Sequence, residues 1–236
     1  MMILRQDKLM FIKTKKTAGT SIEIALSKHL AQGDFATPFT KEEEEQRAGK
    51  QFIVRGSLRL LRERSEGHVR ARNPHNGIAV ARTYLGDLCD GCFSFCVERN
   101  PWDKAVSAFY FWMHQRGYKI FDVGESFHRF CNLQLRFFSD FHLYSENGQL
   151  AVDRVLRYES LQSDFNTLMA ERGITDVSLG DRRWNSGIRK EYDIGVFYGE
   201  NFDNANVDIV ANVFAAEISE FGYEFPTKES VRPSSA

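Results

Sequence analysis

Lys15 and Lys16 stand at the mouth of a small-residue turn, Thr17-Ala18-Gly19-Thr20-Ser21. The turn joins a short apolar run, Leu9 to Ile12, to an amphipathic stretch from Ile22 to Leu30. Strand, tight turn and helix in that order gather backbone N–H groups around an anion. The residue types fit a phosphate-like group. Gly19 permits close backbone approach, Thr20 and Ser21 add hydroxyl donors, and the two lysines bring charge. The lysine precedes the small residues, whereas an ordinary nucleotide loop, G-x-x-x-x-G-K-[ST], places it after them. A second apolar strand, ending at Val97, leads into Glu98-Arg99 rather than into a magnesium-holding aspartate. The pairing favours transfer of an anionic group by lysine and arginine, with no required metal.

Arg99 at that strand end and Ser107 two turns into the next helix form a second candidate pair. Taken alone, Arg99 reads equally as a helix-flanking ion pair and Ser107 as a helix-surface serine. Seven arginines between residues 51 and 82 (Arg55, Arg59, Arg62, Arg64, Arg70, Arg72 and Arg82) face only Glu63 and Glu66 there. Coulomb attraction would make that segment a wall for an anionic ligand. The plainer alternative pairs the arginines with the acidic run Glu42 to Glu45. Cys89-Asp90-Gly91-Cys92 is a C-x-x-C, but neither a thioredoxin-like context nor a second ligand pair accompanies it. A structural role is the simpler reading.

These groups need elements to hold them. Residues 9 to 13 read as a strand, and the following helix has Ile22, Ala25, Leu26 and Leu30 on one stripe. Lys41 to Lys50 reads as a solvated loop or exposed helix end, and Ile78 to Leu85 as a short helix. Cys92 to Val97 suits a buried strand. Asn100 fits the N-cap of the helix after it, Pro101 the first position, and Asp103 the third, where a carboxylate meets unpaired N–H groups. Trp102, Val106, Phe109, Tyr110 and Met113 form its inward side, and Gly117 closes it. A helix over 125–138, a strand–turn–strand over 142–156 around Asn147-Gly148, and a helix over 160–170 follow. Residues 174 to 202 read as a long surface loop, and 204 to 221 as one final helix with Val207, Val210, Phe214, Ile218 and Phe221 inward. The tail after Pro226 reads as frayed. Two strand-to-helix units far apart in sequence imply an α/β fold with a parallel sheet, whose ligands sit beyond the carboxyl ends of the strands.

The whole chain sets the bounds. It has 236 residues, 42% hydrophobic, and its 20 phenylalanines imply a core built on aromatic packing. A formal net charge of -1 argues against a generic nucleic-acid binder, so any anion site is local. The N-terminal residues show no signal-like segment, and no stretch approaches a membrane span. A soluble cytoplasmic protein with reduced cysteines, and no membrane or nucleic-acid partner, is the expectation.

FIKTKKTAGTSIE at 11–23 and FCVERNPWDKAVSAFYF at 95–111 together resemble the PAPS-dependent carbohydrate sulfotransferases, the type that includes heparan sulfate 2-O- and chondroitin/dermatan sulfotransferases. PAPS is 3'-phosphoadenosine 5'-phosphosulfate. RYESLQSDF at 157–165 and FAAEISEFGYEF at 214–225 extend the likeness over most of the chain. Lys15 stands where the family has proline. The resemblance implies a single domain over 1–236 with a P-loop-like three-layer α/β fold, a central mainly parallel sheet flanked by helices. It also implies a mobile or insert-like region at 33–75 and a late loop at 174–202. It implies sulfuryl transfer from PAPS to a hydroxyl of a carbohydrate or similar small acceptor, leaving 3',5'-ADP. Lys16, Thr17, Ala18, Gly19, Thr20 and Ser21 would hold the 5'-phosphosulfate, with Lys16 also meeting charge on the leaving oxygen. Arg99 and Ser107 would hold the 3'-phosphate, and Arg189 and Lys190 would close over the nucleotide. No metal is implied. The acceptor needs a general base. His75 best matches the family's histidine, with His68 or an acidic residue as the alternatives. An ATP-using kinase and a non-catalytic anion- or glycan-binding domain are the rival readings.

Overall fold

The computed structural model describes residues 1–47, 49–180, 188–191, 193–199 and 204–225; the tail after Pro226 and residues 181–187 of the late loop lie outside them. The strands are β1 (Met2–Leu4), β2 (Leu9–Phe11), β3 (Phe35–Ala36), β4 (Phe93–Glu98), β5 (Ser145–Glu146), β6 (Gln149–Leu150) and β7 (Arg154–Arg157). The helices are α1 (Gly19–Leu26), α2 (Lys41–Glu44), α3 (Gln51–Arg64), α4 (Ile78–Cys89), α5 (Pro101–Arg116), α6 (Val123–Leu133), α7 (Phe141–Tyr144), α8 (Leu161–Glu171), α9 (Gly195–Tyr198), α10 (Ala205–Val213) and α11 (Ala215–Phe221). Two compact units divide the chain. One comprises Met1–Glu98 with His142–Trp184, the other Arg99–Phe141 with Asn185–Ala236.

The first unit is α/β. Its five-stranded sheet runs β3-β1-β2-β4-β7. The β2–β4 and β4–β7 pairs are parallel, while β1 runs antiparallel to both β2 and β3. The sheet is therefore mixed rather than mainly parallel. The reason is local: Met2–Leu4 is itself apolar and buried, and the polar Arg5–Lys8 turn folds it back on Leu9–Phe11 as a hairpin. Side chains alternate along each strand. Met2, Leu4, Leu9, Phe11, Phe95, Val97 and Leu156 share one core with Ile22 and Leu26 of α1, Ile53 and Val54 of α3, and Phe165 and Leu168 of α8. On the opposite parity, Met10 meets Cys89 at the end of α4, with Sγ 3.8 Å from Sδ. Residues 33–75 carry β3 and α3, both built into this core. Asn147 and Gly148 adopt positive φ between β5 and β6.

The second unit is helical. α5 starts as its sequence implies: the Asn100 side chain accepts from Trp102 N at 3.1 Å, Pro101 takes the first position, and Gly117 ends the helix at φ 64°. Phe109, Phe127, Phe130, Phe197, Tyr198 and Phe214 form an aromatic core, with Phe127 and Phe197 rings 5.1 Å apart at 75°. The 174–202 stretch is thus more than surface loop, because Ile194, Phe197 and Tyr198 are buried there. The final helix is also divided. Phe214 leaves helical geometry (φ −109°, ψ 26°), and the second half buries Glu217, whose Oε1 accepts from Ser139 Oγ and the Asp140 amide. Among the described residues no helix is long and apolar enough to cross a membrane.

Candidate functional site

The loop of residues 13–20 begins where β2 runs beside β4. Ile12 N donates to Phe95 O at 2.8 Å, and the Thr14 hydroxyl donates to Val97 O. That hydroxyl then has only lone pairs left for Thr17, whose hydroxyl donates to it at 2.7 Å. The Thr17 side chain is fully buried, so its contribution to the loop is backbone and support. Lys16 and Ala18 both take left-handed backbone, at φ 62° and 61°. Alternation of that kind turns successive amides toward one concavity. Ala18 is the N-cap of α1 and offers no side-chain acceptor, and the first turn holds no acid. The helical ladder opens only at Ile22 N→Ala18 O, so the amides of Gly19, Thr20 and Ser21 precede it. A helix start without a cap, behind a left-handed turn, suits an anion. Lys16, Thr20 and Ser21 are half-buried around it.

Lys13 lies beneath this loop. It follows Leu9 and Phe11 at period two, so the same parity carries it inward, and it is 6% exposed. Its Nζ donates to Glu23 Oε2 at 2.8 Å and to Thr20 Oγ1 at 3.3 Å, and lies 4.5 Å from the Phe39 ring centroid. Arg47 lies over the same ring at 3.6 Å. Glu23 also receives the Met1 amino group at 2.9 Å. Burial alone would raise the Glu23 pKa, but Lys13, the Met1 amino group and Arg47 together hold it at about 2. A methyl group on Gly19 would stand 2.7 Å from Lys13 Cγ. The Lys13 stem cannot yield, since Glu23 and Thr20 fix its far end. Gly19→Ala is therefore expected to destabilise the protein by about 1–3 kcal/mol despite the better helix propensity of alanine. A urea midpoint equal to or above wild type would contradict this.

His75 reaches the same place from 62 residues away, with Nδ1 2.9 Å from Lys13 O. A carbonyl only accepts, so Nδ1 carries the proton and a neutral ring keeps its lone pair on Nε2. The turn before α4 is shaped for this. Asn73 Oδ1 accepts from His75 N at 3.0 Å, and Gly77 lies so close to Leu143 that a Cβ would meet its carbonyl oxygen at 2.8 Å. His68 sits exposed in the turn after α3.

In the second unit Arg99 and Arg189 converge on one carboxylate. Arg99 Nε is 2.7 Å from Asp103 Oδ2, and Arg189 Nη1 is 2.6 Å from Oδ1. Both guanidiniums are largely buried, at 9% and 13% exposure, so the trio carries one net positive charge out of bulk water. Burial pushes the Asp103 pKa up, but Arg99 and Arg189 outweigh it and hold the pKa below the usual carboxylate value. Asn100 caps the helix as its sequence implies, but the Asp103 carboxylate, expected to meet unpaired N–H groups of the first turn, turns to the two arginines instead. Ser107 lies one turn beyond Asp103 on α5 and is half-buried, while Lys190 is exposed.

All seven arginines of 51–82 are exposed, and three pair with acids outside the 42–45 run: Arg59 with Glu63, Arg64 with Asp87 and Arg82 with Glu146. Four of them, Arg55, Arg59, Arg62 and Arg64, lie on α3, whose apolar side turns Ile53, Val54 and Leu61 inward and leaves these arginines to solvent. Arg47, by contrast, is fully buried within a run expected to be solvated, its Nη2 donating to Thr37 O at 2.8 Å. Burial, then Cys92 and nearby carboxylates, pushes the Cys89 thiol up to about 11, and burial likewise raises Cys92. Protonated thiols are poor nucleophiles and poor metal ligands.

No family model and no solved structure matches the chain. Over 95 residues, 38% of this chain and 74% of the relative, it is 33% identical to an uncharacterized protein of Archaeoglobus fulgidus.

Proposed function

We propose, for a chain that belongs to one family with that archaeal protein, a function drawn from its own residues: transfer of a sulfuryl group from PAPS to a hydroxyl of a carbohydrate or similar small acceptor. The observation that carries the reading is the pairing of an uncapped, lysine-bearing anion turn with a histidine bonded through Nδ1 to the strand that feeds it. An anion site with a proton acceptor bonded to its loop is what group transfer to a hydroxyl requires. The same reading takes the first unit as P-loop-like, which the β2–turn–α1 unit, with β4 parallel to β2, supports.

Each unit offers a group with the chemistry for one anion. In the first, the turn at 16–21 suits a 5'-phosphosulfate; in the second, the Arg99–Arg189 pair around Asp103 suits a 3'-phosphate. PAPS, when bound, supplies the sulfuryl group and leaves as 3',5'-ADP. His75 Nε2 takes the acceptor's hydroxyl proton as that oxygen bonds to sulfur and the bond from sulfur to the 5'-phosphate oxygen breaks. Lys16 and the amides of Gly19, Thr20 and Ser21 meet the charge that gathers on that oxygen. Asp103 keeps the two guanidiniums aligned for the 3'-phosphate, the group that separates this nucleotide from ATP. Ser107 lends a hydroxyl and Lys190 a surface charge to the same end.

The test is transfer of label from 35S-PAPS to a panel of glycans and small alcohols, alongside calorimetric titration with 3',5'-ADP and with ATP. Labelled ester and tighter binding of 3',5'-ADP are expected. Preference for ATP would favour a kinase. Glycan binding without affinity for either nucleotide would favour a non-catalytic domain.

A further inference from the structure

The lysine that the anion turn displays is Lys16, yet the better-anchored lysine is Lys13. It is buried, its stem fills the space under Gly19, its carbonyl receives His75, and its ammonium touches both Glu23 and Thr20. The Thr20 contact has a direction. An ammonium has only protons to give, so Thr20 Oγ1 is the acceptor at 3.3 Å. The hydroxyl proton of Thr20 must then point away from Lys13. Thr20 stands half-buried in the first turn of α1, among the amides that precede the helical ladder. Glu23, one turn along, draws the ammonium from the other side at 2.8 Å and keeps it in place.

We infer that Lys13 is a positioning residue: held by Glu23, its ammonium orients the Thr20 hydroxyl as a donor to the anion bound at the 16–21 turn. The identity of that anion as a 5'-phosphosulfate rests on the function proposed above; the orientation of Thr20 does not. The geometry assigns Lys13 no contact with the ligand. Its effect passes through Thr20 and vanishes when the Thr20 hydroxyl is removed.

A double-mutant cycle tests this, using Lys13→Met, which keeps the stem and removes the charge, and Thr20→Val. Calorimetry gives the affinities of 3',5'-ADP and of adenosine 3'-phosphate, which lacks the 5'-phosphate. Their ratio isolates the 5'-phosphate. Each single variant is expected to reduce the ratio by about tenfold, as for a lost hydrogen bond to a charged group. The double variant should lose no more than either single one. A ratio unchanged in Lys13→Met, or losses that add, overturns the inference, because a merely structural lysine would lower both affinities together. If wild type binds neither nucleotide, inorganic pyrophosphate replaces them. The same non-additive loss then upholds Lys13 while the sulfotransferase reading falls, and absence of pyrophosphate binding overturns both. Should Lys13→Met fail to fold, the 15N resonance of the Lys13 ammonium is followed in folded protein. A pyrophosphate-induced shift that Thr20→Val abolishes supports the role. An unmoved resonance, or a shift that persists in Thr20→Val, refutes it.

Discussion

His75→Asn should lower turnover by about a hundredfold to ten-thousandfold, the range for losing a positioned general base, while leaving the affinity for 3',5'-ADP at its wild-type value. The choice of asparagine matters. Its side-chain N–H can replace the Nδ1 proton that His75 gives to Lys13 O at 2.9 Å, so the turn before α4 keeps its anchor. What asparagine cannot replace is the lone pair on Nε2. Turnover lost with binding retained therefore reports proton acceptance rather than collapse of the turn. Full activity in His75→Asn would eliminate His75 as the base. His68, exposed after α3, and an acidic group would then be the alternatives.

The legible parts of the molecule are those written in short-range chemistry. The Asn100-Pro101 start, the Gly117 end and the Asn147-Gly148 turn are local rules, and each holds. Leu9 and Phe11 share one inward parity in the core. That parity extends one step further, to Lys13, and was a usable signal: a lysine in phase with a buried stripe needs a buried acid. Glu23, beside Ile22 and one turn before Leu26, is that acid. Neither is visible when lysines are read only as ligands for an anion. Asp103 left its expected partners for a related reason. Its third helical position suits the free amides of the first turn, but two guanidiniums, one of them Arg189 from 86 residues away, hold the carboxylate instead. The hairpin partner of β2 was hidden because Met2–Leu4 is three residues long, too short for any periodicity to register. The arginines of α3 are set outward by the helix, whose apolar stripe of Ile53, Val54 and Leu61 faces the core.

Glu23→Ala should be the most damaging single change to stability in the first unit. The Glu23 carboxylate is fully buried and stands 2.8 Å from Lys13 Nζ. Removing it strands the Lys13 ammonium at 6% exposure and deprives fully buried Arg47 of a nearby countercharge. Breaking a buried pair from one side costs about 3–5 kcal/mol. Glu23→Gln, which keeps the shape and one acceptor, should cost less. The carboxylate also dictates an acid response. Its folded-state pKa is about 2 against an ordinary 4.5, so the unfolded chain takes up the proton first as pH falls. The contribution of Glu23 is complete above 4.5 and drains away between there and about 2. Urea midpoints measured from pH 7 downward should therefore show wild type and Glu23→Gln converging as the solution is acidified below pH 4.5. Curves that fall in parallel would mean that the charge on Glu23 does not hold Lys13. The anion turn would then have a looser anchor, because Thr20 and Gly19 are positioned against the lysine that Glu23 helps to hold.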